Sequence, residues 1–162
     1  MQSVSRLVQT FVPDHYNLSP TLQRHERRFS GTITVNGVVV GSDTIRLHQK
    51  VLAVQSATVD GKEASFTLTD DEVVISHPDI AVGKHVVVVE FTGKINDEMH
   101  GLYPCYFDHD GEKKELLATQ FESHHAREVF PCIDEPEAKA TFDVTLTTEQ
   151  DVTVLGNMPV KS

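Results

Sequence analysis

Gln120 and Glu122 have the residue types and the spacing of a receptor for a cationic group. In extended chain, residues two apart share a face, so Gln120-Phe121-Glu122 places the amide and the carboxylate side by side, with Phe121 turned toward the core. A peptide's terminal amine has a pKa near ~8 and is largely ammonium at neutral pH. One ionised carboxylate gives such a group a charge-assisted hydrogen bond of about 1.5–3 kcal/mol when water is kept away. The same residues admit plainer roles. Glu122 can pair with Arg127, or it can cap a turn that starts at Ser123.

No other constellation supplies complete chemistry. Nine histidines invite a search for metal ligands. His25-Glu26 runs on into Arg27, Arg28 and Phe29, so the second histidine of a HExxH zinc helix is missing. His124 and His125 are adjacent, and neighbours in a strand or helix point different ways. The sequence therefore assigns no metal ligand and no catalytic residue. It contains no glycine-rich phosphate loop and no G-x-S-x-G elbow. Asp134, in Asp134-Glu135-Pro136, suits a structural role: accepting backbone N–H bonds or pairing with Arg127. Tyr103 either lines a pocket or fills core, and its neighbours Gly101 and Leu102 do not decide between them.

The bulk numbers exclude some partners. A chain of 162 residues, 39% apolar, suits one domain over residues 1–162 with its own core. A net charge of −10 argues against nucleic acid, which needs clustered Lys and Arg. The one basic stretch, Arg24 to Arg28, is broken by His25 and Glu26 and reads as solvated surface. No apolar run approaches the ~20 residues of a membrane span. The N-terminal stretch through Tyr16 lacks the apolar core of a secretory signal, so a cytoplasmic location is the default. Cys105 and Cys132 then read as buried thiols rather than a disulfide.

Several elements have to position the Gln120/Glu122 pair, and most read as strands. Thr32 to Val35 alternates, Asn36-Gly37 signals a hairpin turn, and Val38 to Val40 resumes extended chain. Thr44 to His48, Val51 to Val59, Ala64 to Leu68 and Val73 to Ile75 follow, with Asp60-Gly61 as a further hairpin signal. The valine run from His85 to Phe91 predicts a strand covered on both faces. Phe142 to Leu146 and Val152 to Leu155 close the pattern. Helix signals reduce to a turn capped by Ser123 and another opened by Pro136, with Glu137 and Lys139 in solvent. Such spacing predicts an all-β sandwich of mostly antiparallel strands with one or two short helical turns.

Taken together, Thr119-Gln-Phe-Glu122, Ala126-Arg127, Phe130-Pro-Cys-Ile-Asp-Glu-Pro136 and Lys139-Ala-Thr-Phe142 resemble the aminopeptidase N family of zinc aminopeptidases. Pro13-Asp-His-Tyr16, Phe29-Ser-Gly31, Ile45-Arg-Leu-His48, Phe91 to Asp97, Gly101-Leu-Tyr103 and Gly156-Asn-Met-Pro159 extend the resemblance over most of the chain. The resemblance implies a saddle-like β-sandwich, the N-terminal domain of a larger enzyme, here expected to lack its last strands. It implies a thermolysin-like catalytic domain as partner, which carries the HExxH zinc site and a Gly-x-Met-Glu-Asn motif. It also implies that Glu122 anchors the substrate's free α-amine and that Gln120 lines the first side-chain pocket. Zinc would then sit outside this chain, and the chain alone is expected to hold no catalytic zinc and to cleave no peptide. An unpaired sheet edge would invite self-association. The alternative is a related, non-catalytic interaction module. A carbohydrate-binding sandwich fits poorly, because no aromatic platform is evident and Trp is absent.

Overall fold

Among the described residues, alternating apolar residues and tight turns build eleven strands, β1 to β11 in chain order, with two single turns of 3-10 helix. A computed structural model describes residues 6–150 and 152–161; the first five residues of the N-terminal stretch lie outside them. The largest sheet has the order β11-β1-β2-β8-β4-β5. Its strands are β1 (Phe11–Gln23), β2 (Arg28–Val39), β4 (Ala53–Val59), β5 (Lys62–Glu63), β8 (Gly83–Lys94) and β11 (Thr141–Val144). A second sheet has the order β3-β7-β6, from β3 (Thr44–His48), β6 (Ser65–Leu68) and β7 (Glu72–Ser76). The hairpin of β9 (Gly101–His109) and β10 (Glu112–Gln120) pairs with neither. All ladders are antiparallel except β1 with β11. The all-β sandwich expected from the sequence is the fold observed. Among the described residues, no helix is long and apolar enough to cross a membrane.

One buried cluster joins the sheets. Ile33 and Val35 of β2 and Val87, Val89 and Phe91 of β8 share it with Ile45 and Leu47 of β3 and Val73 and Ile75 of β7. Burying one such side chain contributes roughly 1.5–3 kcal/mol, so this face supplies most of the driving force for folding. The valine run differs from expectation. His85, Val87, Val89 and Phe91 are buried, but Val86 and Glu90 are exposed, so β8 is covered on one face only. A valine-rich strand can thus carry β-branched residues outward, because they also suit a pleated surface.

Asn36-Gly37 forms no turn. Both residues lie inside β2, where Asn36 pairs with His15 and Gly37 with Pro13. The reversal is instead at residues 24–27, with Arg27 at φ +55°. Gly37 is required by packing. A Cβ there would lie 2.5 Å from Cζ of the buried Phe11 and 2.8 Å from the Val12 carbonyl oxygen. Asp60-Gly61 does turn the chain, with φ of +51° and +77°, and joins β4 to β5. Asp110-Gly111 (+53°, +78°) does the same for β9 and β10. Val152 to Leu155 is irregular and has no ladder among the described residues. Alternation alone does not make a strand there, since a strand needs a neighbour for its backbone groups.

Gly37→Ala should destabilise the chain by about 1–3 kcal/mol through overpacking against Phe11, read as a lowered urea midpoint. An unchanged midpoint would contradict the packing at this site.

Candidate functional site

β10 ends at Gln120, which pairs with Gly101 of β9. Phe121 leaves the ladder and packs edge-on against Phe130, ring centroids 5.8 Å apart. Gln120 and Glu122 are exposed while Phe121 is half-buried, so the alternation expected of extended chain persists. Regular strand does not extend to Glu122, which opens a turn and brings its N–H to 3.5 Å from Gln120 Oε1. Tyr103 is half-buried on β9, opposite Ala118.

The plainer roles considered for Glu122 are taken by other groups. Arg127 is committed to Asp134: its backbone N–H and Nε–H donate to Oδ2 at 3.2 and 3.0 Å, and Nη2 donates to the Asp134 carbonyl at 3.2 Å. Ser123 caps nothing. Its Oγ lies 2.8 Å from His124 Nδ1, and the helical turn is Ala126–Glu128, with no side-chain cap. Among the described residues, the Glu122 carboxylate has no ion pair. Asp134 thus has the structural role expected of it. The turn at residues 136–137 forms, with Glu137 and Lys139 exposed.

The segment between the 3-10 turn and this one is tied down at Cys132, Ile133 and Asp134. His48 at the end of β3 exchanges backbone hydrogen bonds with Cys132, at 2.7 and 3.0 Å. Ile133 N–H donates to Tyr16 Oη at 3.1 Å, and Asp134 N–H donates to His48 Nδ1 at 3.1 Å. The Tyr16 ring stacks on Phe142, centroids 4.7 Å apart. Lys50 N–H donates to the Arg127 carbonyl at 2.9 Å. Cys132 and Cys105 are free thiols; Cys132 is buried, Cys105 only partly so, and burial together with Asp134 pushes the Cys132 thiol up. At the other end of β10, Arg24 and Arg27 lean on Glu115, with Arg27 Nη2 at 2.5 Å and Arg24 Nη2 at 3.8 Å. The basic stretch is therefore partly spent on holding the β9–β10 hairpin.

A second group of side chains meets beside the Gln120/Glu122 pair. His100 precedes β9, and its Nδ1 lies 2.7 Å from Glu128 Oε2; His125 Nδ1 lies 3.0 Å from Glu128 Oε1. The His100 and His125 rings stack at 4.1 Å, and His124 stacks on His125 at 4.8 Å. Only one of the adjacent histidines joins the cluster: His125 faces Glu128, whereas His124 Nδ1 lies 2.8 Å from Ser123 Oγ. Burial works to raise the Glu128 carboxyl, but bonds from His125 and His100 outweigh it and hold the group below its ordinary value. Local sequence reading missed this cluster because His100 is remote from its partners in the chain. The Asp110-Gly111 turn, which folds β9 back onto β10, was the available signal.

His48 gives the region a pH dependence. Burial and then the Arg127 charge lower its pKa, outweighing Glu135, Glu72 and Asp134, which raise it. Its Nδ1 also accepts the Asp134 N–H, so that nitrogen must carry no proton. A histidine with a lowered folded pKa contributes stability that is present above the unfolded value near ~6.5 and lost as pH falls toward the folded value. The urea midpoint should therefore drop as pH is taken from about 7 to 5, and His48→Gln should flatten that dependence. An equal slope in the variant would contradict the assignment.

The sequence matches the family described as Peptidase M1 N-terminal domain over residues 12–162. It is similar to aminopeptidase N of Lactobacillus delbrueckii subsp. lactis, 45% identical over 159 residues. Aminopeptidase N of Lactococcus lactis subsp. lactis is 42% identical over 160 residues; each alignment covers 97% of this chain and 19% of the relative. Puromycin-sensitive aminopeptidase of Caenorhabditis elegans is 39% identical over 163 residues, covering 93% of this chain and 17% of that protein. The chain thus spans about a fifth of the length of the relatives it matches. With the matched family spanning nearly every described strand, the chain belongs to the peptidase M1 N-terminal domain family.

Proposed function

We propose that this chain is the substrate-anchoring domain of a zinc metallo-aminopeptidase, in which Glu122 receives the free α-amine of a peptide and Gln120 lines the first side-chain pocket. The observation that carries the reading is that, among the described residues, the Glu122 carboxylate has no ion-pair partner: Arg127, its nearest Lys or Arg in sequence, is held by Asp134. A carboxylate without an ion pair, on a rigid strand end backed by Phe121 and Phe130, suits an incoming ammonium group. The likeness to aminopeptidases supports the same assignment.

The His25-Glu26 pair does not form a zinc-binding helix. His25 and Glu26 lie in the β1–β2 turn, and Glu26 pairs with Arg28. The metal and the thermolysin-like domain that holds it would be contributed by further sequence, where the ion supplies an activated water for hydrolysis. The contribution of this domain is positioning. Holding the amine at a fixed distance presents only the first peptide bond to the reacting centre. Glu122 is exposed in this chain, so its bond to an amine gains full strength only where the partner domain and the peptide cover it.

Glu122→Ala in the complete enzyme should lower kcat/KM on peptides with free N-termini by about 10- to 100-fold, the equivalent of one charge-assisted hydrogen bond. Wild-type kcat/KM in that variant would refute the anchoring role. The 162-residue chain alone should release no amino acid from such peptides, and release by the purified chain would refute the division of labour.

A further inference from the structure

His100, His125 and Glu128 offer three ligand atoms within 4.8 Å of one another. Two imidazole nitrogens and one carboxylate oxygen are a donor set suited to zinc and neighbouring first-row divalent ions. The Glu128 side chain is 8% exposed, and among the described residues it has no Lys or Arg partner. Its two oxygens each face one histidine Nδ1. This carboxylate is therefore held under the surface with imidazoles as its counter-groups among the described residues.

His100 makes the case chemically. Its Nδ1 faces Glu128 at 2.7 Å, and its Nε2 lies 2.6 Å from Glu98 Oε2. A neutral imidazole has one N–H and satisfies only one of two carboxylates. Two states satisfy both: an imidazolium, or an imidazole that donates Nε2–H to Glu98 and gives its Nδ1 lone pair to a cation. The second is the arrangement of metal-ligating histidines, whose remote N–H is fixed by an outer carboxylate. Gly101 leaves the room: at φ +68°, a Cβ on it would lie 3.0 Å from Glu128 Oε2.

We propose that His100 Nδ1, His125 Nδ1 and the Glu128 carboxylate bind one divalent transition-metal ion of the zinc class. The ion takes the place of the protons shared between the imidazoles and Glu128, and its open positions are filled by water. The site ties the start of β9 to the turn after the anchor strand. His125 N–H donates to the Phe121 carbonyl at 2.9 Å, and Gly101 pairs with Gln120, so the bound ion braces both sides of the Gln120/Glu122 pair.

Titrating the metal-free 162-residue chain with Zn2+, and separately with Co2+, tests the site. One equivalent of Zn2+ should bind and raise the Tm, and Co2+ should give visible absorption bands of a nitrogen- and oxygen-ligated ion. His100→Gln and His125→Gln should each weaken Zn2+ binding by at least about tenfold, whereas His109→Gln, on an exposed residue, should leave it unchanged. In the wild-type chain, Zn2+ should shift the imidazole NMR signals of His100 and His125 but not those of His25 or His109, a readout that requires no variant to fold. The proposal is overturned if the folded chain binds no Zn2+ saturably, if the two glutamine variants bind as the wild type does, or if the shifts spread evenly over all histidines.

Discussion

The arrangement of the chain around Gln120 and Glu122 depends on one ion pair, Arg127 with Asp134. Its two side chains are 15% and 11% exposed, and three hydrogen bonds join the residues. A pair so nearly buried adds little over well-packed apolar residues, because desolvation offsets much of the attraction; removing one partner strands a charge and costs about 3–5 kcal/mol. Its value here lies in specificity. It fixes the 3-10 turn against the Phe130 to Glu135 segment, and it occupies the one cation close enough in sequence to neutralise Glu122. A carboxylate that is to bind an external ammonium must be denied an internal one.

The rest of the fold can be understood as support for that segment. The strand end is set from one side by the β9–β10 ladder, whose free hairpin is held through Glu115 by Arg24 and Arg27. From the other side it is set by His48 and Tyr16, which deliver backbone and side-chain partners from the β3–β7–β6 sheet and from β1. Each contact is small on its own, since a typical intramolecular hydrogen bond contributes roughly 0.5–1.5 kcal/mol. Together they leave residues 130–135 few alternative conformations. Under the proposed function that rigidity matters, because a misplaced Glu122 would present the wrong peptide bond.

Much of this was legible in the sequence, and the failures have physical reasons. Period-two patterns located β3, β4, β6 and β7, and Asp60-Gly61 marked a real turn, because those signals are local. Asn36-Gly37 misled, since a glycine demanded by a phenyl ring stacked over a strand has the same letter as one demanded by a positive φ. The valine run of β8 misled about coverage, because burial of the second face is decided by elements distant in the chain. Gln120 and Glu122 were singled out by their spacing, and the Arg127–Asp134 option was visible as one of two pairings. Choosing between those pairings required the fold. The His100 cluster was invisible for a related reason: its members meet only once Asp110-Gly111 folds β9 onto β10.

Double-mutant cycles on the unfolding free energy of the chain test the central claim most directly. The account predicts a coupling of about 1–3 kcal/mol between Arg127→Met and Asp134→Asn, and less than about 0.5 kcal/mol between Arg127→Met and Glu122→Gln. The reverse order, with Arg127 coupled to Glu122 and indifferent to Asp134, would show that the carboxylate is already paired and would contradict its role as an amine receptor.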